Sequence, residues 1–261
     1  MKNNKFDELK QYLSSLEKQG ICLAFSGGID STLLLWLCKD FNVTAVTFVS
    51  EFQTSEEIEF TKNFCALCGV KQEIISLKML EDDVISNNPK DRCYHCKKKF
   101  FTAIKNYAHL NNIKNIIDGT NYDDLHTYRP GLKALQELEI LSPFAQFEIT
   151  KQEIRTYAKD VGLKIYDKPS KPCLATRFPY GTHLVADRIE LVKKVESLLE
   201  KHGFPENRAR FHGDIMRIEI PVNKFDDFIK VRDDLITRLK QIGIKYITLD
   251  VEGLRRGSMD L

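Results

Sequence analysis

The chain has 261 residues, with 43% hydrophobic and 29% charged side chains and 39 basic against 37 acidic groups. That length allows a medium-sized domain plus a small one, and the near-balanced charge argues against a protein that coats a polyanion. Met1 to Glu8 holds no apolar core of signal-peptide length, and the longest apolar run, Leu33 to Cys38, is too short for a bilayer, so a cytoplasmic protein without membrane contact is expected.

Residues 6–18 carry the pattern of a short amphipathic helix. Ile21 to Phe25 is a continuous apolar run that ends at Ser-Gly-Gly, which reads as a buried strand. Residues 31–40 read as helix, and Val43 to Val49, rich in β-branched side chains, as a second strand. A helix over 55–67, a strand at Gln72 to Ser76, helices over 79–87 and 94–110, and a strand at Asn115 to Asp118 follow. A helix over 131–138 comes next, then a short strand at Glu139 to Pro143. A helix from Thr150 to Gly162, opened by the capping box Thr150-Lys-Gln-Glu153, completes the series. Strands alternating with helices predict an α/β domain with a parallel sheet over residues 1–165. Residues 166–181 hold Pro169, Pro172 and Pro179 without periodicity and read as a linker loop of functional length. A helix over 183–202, strands at Arg208 to Phe211 and Ile215 to Ile220, a helix over 223–242 and a strand at Tyr246 to Val251 predict a smaller α+β domain over 182–261.

Ser26-Gly27-Gly28-Ile29-Asp30-Ser31-Thr32 stands between the first strand and the first long helix. Glycines there let backbone N–H groups approach phosphate oxygens, and the helix dipole favours their charge. Ser26 and Ser31 add hydroxyls; Asp30, being acidic, is assigned to loop geometry or to Mg²⁺. The stretch lacks the Gly-Lys-Ser/Thr ending of a Walker loop, and no lysine in it cradles a γ-phosphate. A tight turn alone would explain Gly-Gly. The full string at this position resembles the PP-loop of the N-type ATP pyrophosphatases, which include NAD and GMP synthetases and tRNA thiolases. That resemblance implies cleavage of ATP to AMP and pyrophosphate.

The odd count of seven cysteines suits thiols or metal ligands better than a disulfide framework. Cys22 and Cys38 fall on a strand and a helix and read as core. Cys65 and Cys68 recur at helical spacing with Ile58 and Thr61, which favours a core stripe over half of a zinc ribbon with Cys93 and Cys96. Cys93-Tyr-His-Cys96 opens a helix beside Arg92 and Lys97-Lys-Lys99, a setting that favours thiolates and suits metal ligation or nucleophilic work. Cys173 lies in the proline-rich loop.

Asp91-Arg-Cys-Tyr-His-Cys-Lys97, Gly119-Thr-Asn-Tyr-Asp-Asp124 and Tyr128-Arg-Pro-Gly131 are joined by Lys168 to Gly181, Arg208-Ala-Arg-Phe-His-Gly-Asp214 and the tail Glu252 to Met259. Together they resemble the LarE family, sulfur transferases of nickel-pincer nucleotide biosynthesis, over nearly the whole chain. The resemblance implies that a carboxylate of a pyridinium-3,5-dicarboxylate mononucleotide is adenylated by ATP and that sulfur then displaces AMP. It also implies one of two sulfur sources. Some members surrender the sulfur of the cysteine matching Cys173; others hold a [4Fe-4S] cluster on cysteines matching Cys93, Cys96 and Cys173. All three are present, so the cluster type is expected, and three thiolates on a cubane leave one iron open to carry sulfide. Family members also tend to be homo-oligomers.

Arg177, Arg208 and Arg210 are candidates for the substrate's phosphate or carboxylates, which arginine pairs bidentately. Arg208 and Arg210 alternate on a strand and share a face. Asp123 and Asp124 follow the C-terminal end of a predicted strand, where α/β sheets bind ligands, so contact with Mg²⁺ or substrate is expected of Asp124 as readily as a plain turn role. The six histidines show no ligand spacing. The rival readings are tRNA thiolation by the same loop and cluster, and a sulfide carrier that binds ATP only for regulation. Balanced charge and the lack of an RNA-binding module speak against nucleic acid. The sulfur donor is open.

Overall fold

The computed structural model describes residues 4–127, 129–167, 172–255 and 257–259. Tyr128, Lys168 to Lys171 and Arg256, which belong to three of the stretches quoted above, lie outside the described residues. Two compact units emerge: Met1–Lys78 with Asp91–Ser170, and Met79–Lys90 with Lys171–Leu261.

The first unit is a parallel α/β layer structure. Helix α1 (Asn4–Leu16) turns Phe6, Leu9 and Leu13 into the core. Strand β1 (Ile21–Ala24) is central, as its apolar run requires, and leads into α2 (Ile29–Cys38), whose Leu33, Leu34, Leu35 and Leu37 are all buried. Strand β2 (Val43–Val49), helix α3 (Ser55–Cys68) and β3 (Lys71–Ser76) follow. Thr54 and Glu57 form a capping box at the start of α3, and Gly69, at φ 67, supplies the left-handed residue that ends it. After α4 (Asp83–Ser86), which belongs to the second unit, come α5 (Arg92–Leu110) and β4 (Asn115–Ile117). The sheet order is β3-β2-β1-β4, with every pair parallel; Ile21 aligns with Val43 on one side and with Asn115 on the other. Successive strands run outward from β1 to β3, then the chain returns to the other side of β1 as β4. The switch point between β1 and β4 is where such sheets open a ligand crevice.

Helices α6 (Gly131–Glu137), α7 (Pro143–Gln146) and α8 (Lys151–Asp160) complete this unit. The strand expected at 139–143 is reduced to a single bridge, Ile117 to Leu141, because Pro143 starts α7 and ends any pairing. The helix expected over 79–87 shrinks to α4, whose start Asp82 fixes by accepting from Val84 N and Ile85 N. The capping box Thr150/Glu153 is formed as expected.

In the second unit α9 (Ala186–Lys201) and α10 (Phe225–Gln241) bury Ile189, Val192, Val195 and Leu199, and Phe228, Leu235 and Leu239. They accompany a three-stranded sheet: β5 (Arg208–His212) runs antiparallel to β6 (Ile215–Glu219), and β7 (Tyr246–Leu249) is parallel to β6. Buried Asn88, at φ 52, donates to Phe178 O and Pro179 O, and its own carbonyl accepts from Gly181 N. The 79–90 segment is thereby tied to the chain that follows Cys173. No helix among the described residues is long and apolar enough to cross a membrane.

Candidate active site

The Ser26–Thr32 loop leaves β1 and closes on itself around one hydroxyl. Ser31 Oγ lies 3.1 Å from Ser26 Oγ, donates to Gly28 O (3.1 Å) and accepts from Ser26 N (3.3 Å). Ser31 is therefore spent on loop shape as much as on any ligand. Gly27 sits at φ 73, and a Cβ there would also reach Phe60 and Thr61 at 3.0 Å. Gly28 is the N-cap of α2 and offers no side chain to its first N–H groups, which stay directed at whatever anion enters.

The chain returns to this loop after β4. A Cβ on Gly119 would stand 2.8 Å from Ser31 N and 3.2 Å from Asp30 C, so only glycine lets the two backbones meet. Beside it, Asp118 is buried and accepts from Thr120 Oγ1 and Ser142 Oγ, both at 2.6 Å, with Lys97 Nζ 3.7 Å away. Asp30 is engaged as well: Lys151 Nζ donates to its Oδ2, and Asn121 Nδ2 to its Oδ1 at 3.5 Å. Asp124, expected to contact metal or substrate, is buried in a reciprocal cap with Asn121 and paired with Arg129 at 2.8 Å. Burial pushes its carboxyl above the usual carboxylate range, against the pull of Arg129. Asp123 accepts from Lys151 N at 2.8 Å and so holds the start of α8.

The cysteines separate into two chemical populations. Burial drives the thiols of Cys22, Cys38 and Cys65 up to about 12, and raises that of Cys68. Cys65 lies in the core with Leu33 and Phe64, as the helical spacing implied. By contrast Cys93 and Cys173 are exposed and Cys96 is half-buried. Cys93 and Cys96 share the first turn of α5 in the first unit; Cys173 precedes a short 3-10 turn, Leu174–Arg177, in the second. Among the described residues no group of three or more His, Cys, Asp or Glu side chains is arranged to hold a metal ion.

The three candidate arginines lie in the second unit and differ in state. Arg177 is buried and pairs with Glu196 through Nε and Nη2, at 2.5 and 3.1 Å. Arg210 is also buried, donating to Glu219 Oε2 (3.0 Å) and Thr176 O (2.7 Å), while its Nε meets no acceptor among the described residues. Arg208 is half-buried and donates to Arg255 O at 2.7 Å. Burial, and to a lesser degree the neighbouring Arg210 and Arg177, lowers its pKa against the opposing pull of Glu219 and Glu196. Sequence reading missed Arg217, which pairs with Glu219 and Asp250, and fully buried Glu219 itself, which also accepts from Ser258 at 2.6 Å. It also missed Lys151, Asn121 and Gly119 as parts of the loop's surroundings. Nothing in the local sequence marks Lys151, because only the fold brings α8 to Asp30.

A strand-ending Ser-Gly-Gly-x-Asp-Ser loop at the switch point of a parallel sheet defines a PP-loop protein. The NAD synthase family model matches residues 1–123. The fold is similar to that of NMN synthetase from Francisella tularensis, with a TM-score of 0.52, 17% identity and coverage of 64% of this chain and 74% of that one. An uncharacterized protein of Synechocystis sp. is 32% identical over 100% of this chain and 98% of its own length. The pyridinium-3,5-bisthiocarboxylic acid mononucleotide synthase of Lactiplantibacillus plantarum is 38% identical over 93% of this chain and 89% of that protein. The chain belongs to the LarE family, to which that synthase belongs.

Proposed function

We propose that this protein is an ATP-dependent sulfur transferase that converts a carboxylate of pyridinium-3,5-dicarboxylate mononucleotide into a thiocarboxylate. The observation that carries the reading is the self-closed Ser26–Ser31 loop, with α2's uncapped N-terminus behind it and Gly119 packed against it. A carboxylate oxygen attacks the α-phosphate of ATP; the Pα–O bond to the β-phosphate breaks and pyrophosphate leaves. A sulfur nucleophile then attacks the acyl carbon, the C–O bond breaks, and AMP carries away the original carboxylate oxygen. No electron is gained or lost.

In this reading Gly27, Gly28 and the first turn of α2 hold the phosphates, and Asp30 offers a carboxylate to Mg²⁺, which ordinarily takes one or two carboxylates plus phosphate oxygens. Arg208 is the open cation for the mononucleotide, while Arg177 and Arg210 are fixed by Glu196 and Glu219 and shape the ground around it. The donor set suits an iron–sulfur group: Cys93 and Cys173 are exposed and Cys96 is half-buried, whereas Cys22, Cys38 and Cys65 are buried and the thiol of half-buried Cys68 is raised by desolvation. When bound on three thiolates, a [4Fe-4S] cluster supplies an open iron for sulfide.

The test is product analysis with the anaerobically purified protein, ATP, sulfide and the dicarboxylate mononucleotide. AMP, pyrophosphate and an oxygen-to-sulfur mass shift in the small nucleotide are expected, repeated over many turnovers. ADP as product would end the reading, and sulfur exchange only in tRNA would reassign the acceptor. Iron and acid-labile sulfide should be lost from Cys93→Ala, Cys96→Ala and Cys173→Ala and kept in Cys65→Ala. A single turnover that consumes the sulfur of Cys173 would instead indicate the sacrificial mode.

A further inference from the structure

Asp30 is the acidic side chain of the phosphate loop, and both its carboxylate oxygens are taken, Oδ2 by Lys151 and Oδ1 by Asn121. Lys151 is no stray surface lysine. It is the first residue of α8, set between Thr150 and Glu153, whose reciprocal bonds fix that turn, and its own N–H is held by Asp123. The pair is separated by 121 positions in the chain, so the fold alone makes it. Side-chain exposures of 28% for Lys151 and 23% for Asp30 leave the contact open to an incoming ligand. An ammonium seated on this carboxylate occupies both the position and the charge that a divalent ion would take. Mg²⁺ gives up its waters reluctantly, so a single carboxylate that already carries a cation cannot recruit it unaided.

We propose that Lys151 is a stand-in cation for Asp30, so that the loop accepts a divalent ion only together with a nucleotide. The proposal rests on the ATP reading and adds an order of events to it. A phosphate entering at the N-terminus of α2 draws the Lys151 ammonium from Asp30 to its own oxygens, and the freed carboxylate takes the metal that arrives with the nucleotide. No covalent bond changes; one cation replaces another on Asp30.

Mn²⁺, which shares the preference of Mg²⁺ for oxygen ligands, is the probe, followed by electron paramagnetic resonance on the full-length protein with and without α,β-methylene-ATP. Wild-type protein should bind Mn²⁺ about tenfold or more tightly with the analogue than without it. Lys151→Met should bind Mn²⁺ without nucleotide about tenfold more tightly than wild type, an ability that adding Asp30→Asn removes. Lys151→Arg should keep the wild-type coupling, which separates loss of the cation from damage to α8. Unchanged Mn²⁺ affinity in Lys151→Met, or tight nucleotide-free binding at Asp30 in wild type, overturns the inference while leaving the ATP reading in place. Failure of wild type to bind Mn²⁺ even with the analogue overturns the ATP reading itself.

Discussion

Replacing Gly119 by alanine tests whether the loop after β4 sets the shape of the phosphate loop. The added Cβ would stand 2.8 Å from Ser31 N and 3.2 Å from both Asp30 C and Asp30 Cβ. The closest of these is about 0.6 Å inside ordinary contact, and it is a backbone atom that cannot rotate away. The phosphate loop must therefore shift by that amount or the 118–124 segment must retreat. Overpacking of this kind costs about 1–3 kcal/mol of stability. A misplacement of about 1 Å costs roughly a hundredfold in rate, so this smaller shift should lower pyrophosphate release by about ten- to thirtyfold. Gly69→Ala is the control: its φ of 67 makes alanine strained, but nothing lies within 4 Å of the added carbon. It should lose about 1–2 kcal/mol in urea unfolding and keep its rate. Pyrophosphate release at the wild-type rate by a folded Gly119→Ala protein would refute the argument that these backbones are in functional contact.

The two strand arginines should separate by assay. Arg210→Ala leaves Glu219 buried with one partner fewer, and should cost about 3–5 kcal/mol in urea unfolding; a neutral result would mean that Glu219 is not held as a buried carboxylate. Arg208→Ala should unfold like wild type yet bind the mononucleotide about ten- to a hundredfold more weakly, with ATP binding unchanged. Thiol alkylation gives a pH test. Burial favours the neutral thiol, so with pKa values near 12 Cys22, Cys38 and Cys65 hold only about one part in ten thousand thiolate at pH 8, and reactivity should grow only as pH climbs toward 12. Mass mapping of iodoacetamide adducts on native protein at pH 8 should therefore find Cys93 and Cys173 labelled; rapid labelling of Cys38 would refute the assignment.

Where one local signal determined one local structure, the sequence was readable. The apolar run at β1, the β-branched run at β2, and Thr150 with Glu153 each act within a few residues, and each formed as expected. The Glu139–Pro143 strand failed because Pro143 favours the first turn of a helix over a ladder. The site was readable in type but not in partnership. Asp30, Arg177 and Arg210 were recognisable as charged groups in suggestive places, yet their partners Lys151, Glu196 and Glu219 lie 121, 19 and 9 positions away. Charge pairing over such separations depends on topology, which no window of residues contains.

Those partners change what the candidate arginines can do. A buried guanidinium costs several kcal/mol to desolvate, so Arg177 and Arg210 persist in the interior only because Glu196 and Glu219 neutralise them. An arginine fixed in this way cannot swing to a ligand without abandoning its carboxylate, which for Arg210 is the fully buried Glu219. Arg208 carries no such debt: it donates to a backbone carbonyl, that of Arg255, which a phosphate or carboxylate would readily replace as the stronger acceptor. Burial, and after it the neighbouring Arg210 and Arg177, lowers the Arg208 pKa, and an anion seated against it would favour the charged guanidinium. Within this strand Arg210 is committed to Glu219, and under the proposed function Arg208 is the residue left to recognise the substrate, although the sequence presents the two as equivalents on one face.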